Sequence, residues 1–149
     1  MRVFFRIAGV TIFAALSLFL MAFGVLYATV DDMLWFHAAA VPEAAREAVR
    51  PIYFALMTLV GAASGALGLL GLYVTAGPLR RGDRGAAIAL GLANATAFIG
   101  AALVAERLAA ATGAPTSWHI MGALLALTMA AVVTSLLANR PAQVQPKLA

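Results

Sequence analysis

"GAASGALGLLGLYVTAGPLRRGDRGAAIALGLANATA", residues 61–97, decides the architecture. Its centre is a short basic turn, Arg80-Arg81-Gly82-Asp83-Arg84, and no charged side chain stands on either side of it within the stretch. A helix rises about 1.5 Å per residue, so about 20 apolar residues cross the roughly 30 Å hydrocarbon layer of a bilayer. The stretch therefore reads as membrane span, turn, membrane span.

Working outward, the same pattern recurs at both ends of the chain. Apolar runs at 7–30, 52–76, 85–105 and 119–138 are bounded by Arg6 and Asp31, Pro51 and Pro78, Arg84 and Glu106, and Trp118 and Asn139. Of 149 residues, 64% are hydrophobic and 11% charged, less than half the charge of an ordinary soluble domain. The expected fold is all-α: an integral membrane, antiparallel four-helix bundle forming one transmembrane domain, with a polar tail at 139–149. The first run follows Arg2 and Arg6 but is too long for a signal peptide and lacks a small-residue cleavage pattern before Asp31, so it reads as a retained anchor.

Charge gives the orientation. If the amino terminus is cytoplasmic, then Arg2, Arg6, Arg80, Arg81, Arg84, Arg140 and Lys147 share its side, with Asp83 as the one acid. The other side holds Arg46, Arg50 and Arg107 with Asp31, Asp32, Glu43, Glu47 and Glu106. This matches the positive-inside rule and places both termini in the cytoplasm, in a bacterial inner membrane. Trp35, Trp118, Tyr27 and Tyr53 then fall at the outer water–lipid boundary, where amphipathic rings are favoured.

Lipid tails are as apolar as leucine, so spans associate through small residues that allow close approach. The second span carries Phe54, Thr58, Gly61, Gly65, Gly68, Leu72 and Thr75 at steps of three and four, with Gly61 and Gly65 as a GxxxG pair. Its packing glycines are expected to serve contacts within the bundle. Gly122, Ala126 and Ala130 in the fourth span, and Ala93, Ala97 and Ala101 in the third, are milder versions. Asn94 is the most polar side chain near mid-membrane and is expected to face the interior, bonding across to Thr58, Ser64 or Thr128, or to a ligand. In the longest connection, Pro42 opens a short surface helix at 42–50, with Glu43, Arg46, Glu47 and Arg50 on one side. Pro51 suits the first turn of the second span, and Gly77-Pro78 its end.

One outer constellation has the residue types for chemistry: His37, His119 and Glu106. Two imidazoles suit haem, two imidazoles and a carboxylate suit a divalent metal, and a His–Glu pair suits proton transfer. The two histidines are the only ones in the chain and no metal-ligand spacing surrounds them. No cysteine is present for thiolate chemistry. The glycines lie in spans and not in a phosphate loop, and the basic turn lacks interleaved aromatics, so nucleic acid is not an expected partner. No row of intramembrane charges marks an ion pump or voltage sensor.

The segment 60–92, with its glycine-rich span, Pro-Leu-Arg-Arg-Gly turn and Ala/Leu-rich third span, resembles small bacterial four-helix membrane proteins that are DoxX-like in layout. It departs from their pattern at Gly85-Ala86, where they often carry an aromatic. The resemblance implies a topology and no activity. The leading expectation is a non-catalytic accessory or assembly subunit, packing against lipid and a larger membrane complex or a second copy. The alternatives are the outer site at His37, His119 and Glu106, with no cofactor named by the residues, and an enzyme or carrier for a lipophilic molecule near Asn94.

Overall fold

The structure is a computed structural model and describes residues 1–139. Arg140, Lys147 and all of the tail after Asn139 lie outside the described residues. Five α-helices follow in order: α1 Arg2–Thr29, the single turn α2 Trp35–Ala38, α3 Arg46–Val74, α4 Arg84–Thr112 and α5 His119–Ala138. A 3-10 turn, Glu43–Ala45, leads into α3, and a π turn, Thr75–Leu79, continues it. Four helical runs are long and apolar enough to cross a membrane: Arg2–Thr29, Glu43–Leu79, Arg84–Thr112 and His119–Ala138.

Several boundaries differ from those expected. No separate surface helix occupies 42–50. From Arg46 the chain is already in α3, and Pro51 lies inside that helix. Proline there removes only one backbone hydrogen bond, close to an end where donors are free anyway. Gly77-Pro78 does not end the second span either. The widened π turn carries the helical path past Pro78, whose ring would otherwise strike the carbonyl of Val74. The break comes at Gly82, whose φ of 86° is readily adopted by glycine alone. Asp83 then caps α4, its Oδ1 accepting the Ala86 N–H at 3.1 Å, a contact worth about 1 kcal/mol. α4 runs past Glu106 and Arg107, since both are good helix formers, and ends at Gly113 in the left-handed region.

α1 is the centre of the assembly. It packs against α3 on one side and α5 on the other, and α4 lies against α5. α3 and α4 follow each other in sequence yet have little direct contact. The apolar core is built from Phe13, Leu16 and Leu20 of α1, Leu79 of the π turn, Ala87, Leu90 and Phe98 of α4, and Ala131 of α5.

The α1–α3 seam explains the glycine stripe. A Cβ on Gly24 would lie 2.5 Å from the Gly65 nitrogen and 2.7 Å from the Gly61 oxygen. One on Gly61 would strike Ala28, one on Gly68 would lie 2.6 Å from the Ser17 oxygen, and one on Gly71 would strike the Ser17 hydroxyl. The two backbones thus touch directly, and residue numbers fall along α1 as they rise along α3. Gly65 takes part through its backbone; a Cβ there would meet nothing within 4 Å.

The other small-residue rows are not packing faces of this kind. Ala126 and Ala130 are exposed, and Ala93, Ala97 and Ala101 are only half-buried. Gly122 makes room within its own helix: a Cβ there would lie 2.8 Å from the Trp118 ring. The buried faces are instead Ala87, Leu90, Gly91, Asn94 and Phe98 on α4 and Thr128, Ala131, Ser135 and Ala138 on α5. Composition marks small residues but not which flank of an almost uniformly apolar helix turns inward.

Two groups of contacts define the ends of the bundle. Arg6 and Arg80 line one hollow, and Gly82 lies beside Asn139, so the start of α1, the α3–α4 turn and the end of α5 meet at one end. Tyr27, His37 and Tyr53 meet at the end of α1 and the start of α3.

Candidate functional site

His37 is held by the chain around it. The one-turn α2 places its ring edge-on to Tyr27 at 6.3 Å and to Tyr53 at 5.6 Å between centroids, with Phe36 at 4.4 Å. Its Nδ1 lies 3.0 Å from the Tyr53 hydroxyl, which also accepts the Leu34 N–H at 3.1 Å. A neutral ring protonated on Nε2 takes the Tyr53 O–H as donor at its Nδ1, so that hydroxyl donates to His37 and accepts from Leu34. Arg46 closes the loop, donating to the carbonyls of Ala38 at 3.2 Å and Val41 at 3.3 Å. Rings continue inward from this cap, Tyr27 on Phe23 at 4.0 Å, Phe23 on Phe19 at 6.0 Å and Phe19 near Phe98 at 6.4 Å. The sequence signal for that ladder is the spacing of four in Phe19, Phe23 and Tyr27, which places them on one flank of α1.

Burial pushes the His37 imidazole below its ordinary value of 6.5. A lowered value means that the unfolded chain binds the proton more readily, so the stabilisation is complete above pH 6.5 and is lost as pH falls through the folded value. We expect the protection of the Leu34 and His37 amides, taken relative to their intrinsic exchange rates at each pH, to fall as the pH is lowered from 7.5 through the folded value, with His37→Gln removing most of the fall. Hydrogen exchange by mass spectrometry over residues 33–41 checks this, and equal pH dependence in the variant refutes it.

His119 and Glu106 belong to a different corner. The His119 ring stacks on Trp118 at 4.6 Å, with its Nδ1 3.0 Å from the Ser117 hydroxyl. The Glu106 Oε1 accepts the Trp118 N–H at 3.2 Å, and Thr116 donates to the Ala105 carbonyl at 2.7 Å. These bonds fold the α4–α5 connection back onto the end of α4 and satisfy a free donor at the start of α5. No ring contact or hydrogen bond joins His37 to His119, or either histidine to Glu106, among the described residues. No group of three metal-ligating side chains occurs there either. Of the other acids near these loops, Asp32 accepts the neighbouring Met33 N–H at 2.7 Å, and Glu47 pairs with Arg50 at 3.6 Å in an exposed ion pair worth little. Trp35 and Trp118 are 69% and 49% exposed, as rings that meet solvent or lipid must be.

The interior is more unusual. Ser17, Thr75, Asn94, Thr128 and Ser135 are all buried. Ser17 donates to the Phe13 carbonyl at 2.8 Å and Thr128 to the Leu124 carbonyl at 2.9 Å, the normal way for a hydroxyl to be satisfied inside a helix. Thr75 and Asn94 are not satisfied: the Thr75 Oγ1 and both the Oδ1 and Nδ2 of Asn94 have no partner. Asn94 faces inward with 1% exposure, yet Thr58 is exposed, Ser64 is half-buried, and neither they nor Thr128 bonds to it. A buried primary amide with both ends free costs several kcal/mol.

A separate half-open cleft of about 260 Å³ lies between α3 and α4, lined by Leu67, Leu70 and Val74 on one wall and Ala86, Ala89 and Ala93 on the other; Asn94 does not line it. Leu90 belongs to both the cleft and the core, and Asn94 follows one turn later on the same helix. Compared with protein-family models, with curated proteins and with solved structures, the chain matches none.

Proposed function

We propose that this chain is a four-pass, antiparallel membrane bundle with both termini in the cytoplasm of a bacterial cell, acting as a non-catalytic accessory subunit of a larger membrane complex. The observation carrying the reading is how the reactive groups are engaged. Glu106 caps α5, His37 is bonded to Tyr53 and His119 to Ser117, so each candidate outer group already serves its own loop. The bilayer placement is supported by the four apolar runs and by Arg6 and Arg80 sharing one end of the bundle. The DoxX-like layout of residues 60–92 supports the same topology.

The partner contact is assigned to the outward row of α3. Ile52, Leu56, Leu59, Leu70 and Tyr73 are all exposed on the flank away from the glycine contacts with α1. Their steps of four, three, eleven and three, the eleven being about three full turns, keep them in line, as one helix needs to lie along another. The test is gentle purification with a photo-crosslinking amino acid at Leu59, followed by mass spectrometry. A defined larger assembly crosslinked through Leu59 is the expected result. A lone monomer retaining no protein overturns the reading, and crosslinks only to a second copy replace it with self-assembly.

A further inference from the structure

We infer that the hollow lined by Arg6 and Arg80 holds the headgroup of an anionic phospholipid. This goes beyond the subunit reading and rests only on its bilayer placement. The fold brings the two arginines together. Arg6 lies near the start of α1 and Arg80 directly follows the π turn, and both line one open hollow of about 440 Å³ with Ile7, Val10 and Thr11. That volume is within the range of small-ligand pockets. Neither guanidinium has a carboxylate partner among the described residues, where the one ion pair joins Glu47 to Arg50. Asp83, the one acid of the turn, lines the α3–α4 cleft instead and caps α4. Two like charges on one hollow repel each other, and an anion between them turns the repulsion into attraction.

The anion that suits these groups is a phosphodiester. A guanidinium is flat and always charged, and it gives two parallel N–H donors to two phosphate oxygens. Thr11 adds a hydroxyl to the same lining. Thr29, Thr96, Thr112, Thr128 and Thr134 each donate to a carbonyl of their own helix. Thr11 makes no such bond among the described residues, so its O–H is free to donate to a phosphate or glycerol oxygen. A zwitterionic head offers the same phosphate but sets its own cation against the arginines, so the hollow selects net negative charge.

The rest of the lining favours a phosphate that arrives on a lipid. Ile7 and Val10 are aliphatic, and Ile7 is 61% exposed. Leu18, also exposed, continues the flank of Ile7 and Thr11 at helical spacing. After Arg6, α1 carries no charged side chain. A free phosphate would lie against carbon that it cannot bond, whereas a phospholipid lays its acyl chains there. Arg6 directly precedes the first apolar run and Arg80 directly follows the second, which is the depth of the headgroup layer. Basic pockets between spans are a recurring form of anionic headgroup site.

The experiment titrates the full chain, in a non-ionic detergent, with a short-chain phosphatidylglycerol, with the phosphatidylcholine of the same chains, and with inorganic phosphate as competitor. Native mass spectrometry counts the bound lipid. Phosphatidylglycerol is expected to bind roughly tenfold more tightly than phosphatidylcholine, and inorganic phosphate is expected not to displace it. Arg6→Gln combined with Arg80→Gln is expected to remove the preference; both side chains are exposed, so the fold is kept. Arg81→Gln combined with Arg84→Gln removes the same charge from the same turn without touching the hollow, and is expected to retain the preference. Equal binding of the two lipids by the native chain overturns the proposal. So does an equal loss in both double variants, which reports net charge and not a site, or displacement of the lipid by inorganic phosphate, which makes the hollow a free-anion site. A chain that stays dispersed without detergent refutes the bilayer placement and the proposal together. A detergent-dependent chain without the preference refutes the proposal alone and leaves the subunit reading to its crosslinking test.

Discussion

Gly61→Ala is expected to lower the free energy of unfolding by about 1–3 kcal/mol, the usual range for overpacking a tight contact. Gly65→Ala, one turn away, is expected to leave it unchanged or raise it by up to about 1 kcal/mol, the helix-propensity gain of alanine over glycine. The two residues form one GxxxG pair, but they stand differently. At Gly61 the new methyl meets the backbone and Cβ of Ala28, and α1 must move to admit it. At Gly65 it meets nothing within 4 Å. Gly24→Ala should resemble Gly61→Ala, because its methyl meets the Gly65 nitrogen and the Gly61 oxygen. Reversible unfolding in mixed micelles gives the numbers. Equal losses at Gly61 and Gly65 would show that α1 and α3 do not meet along this line.

Asn94→Leu is expected to do the reverse and stabilise the protein by about 1–3 kcal/mol, the desolvation cost of a buried polar group left unmatched. Leucine is of similar size, so little cavity or overpacking energy opposes the gain. Few core substitutions increase stability, and a rise in Tm here would show that the native amide is kept at a cost in fold stability. Thr128→Val is a fitting control, because the Thr128 hydroxyl already bonds to Leu124 within its own helix. If Asn94→Leu instead destabilises the chain by as much as a lost hydrogen bond, the amide has a permanent partner, such as an ordered water, and the free-amide description is wrong.

The four apolar runs were legible because length and composition are read directly from the sequence, and a long helix follows each of them. The α1–α3 contact was half legible. The glycine stripe announced a close approach, but its mate on α1 was not visible, since Ser17, Met21, Gly24 and Ala28 make no pattern that stands out among alanines and leucines. The start of α3 was misplaced because proline at 51 looks like a beginning, whereas a helix tolerates it a turn further in. At the end of α1, His37 was read from the sequence as polar and near a water–lipid boundary, but its attachment to Tyr53, sixteen residues away across a loop, was not foreseen. Asn94 was expected inside and is inside. What sequence spacing does not carry is whether the side chains opposite reach it, because that depends on fractions of an ångström in the separation of three helices.

The order of the chain has a bearing on how the molecule is made. α1 finds its tightest contact in α3, the next long segment to emerge during synthesis, and α4 finds its own in α5. Each pair is therefore a local helical hairpin that closes without waiting for the rest. The α1–α5 contact joins the first long segment to the last, where Ser135 fits against Gly9, and it forms when the two hairpins dock. The Phe19–Phe98 contact between α1 and α4 likewise joins the two hairpins, so that part of the core also waits for their docking.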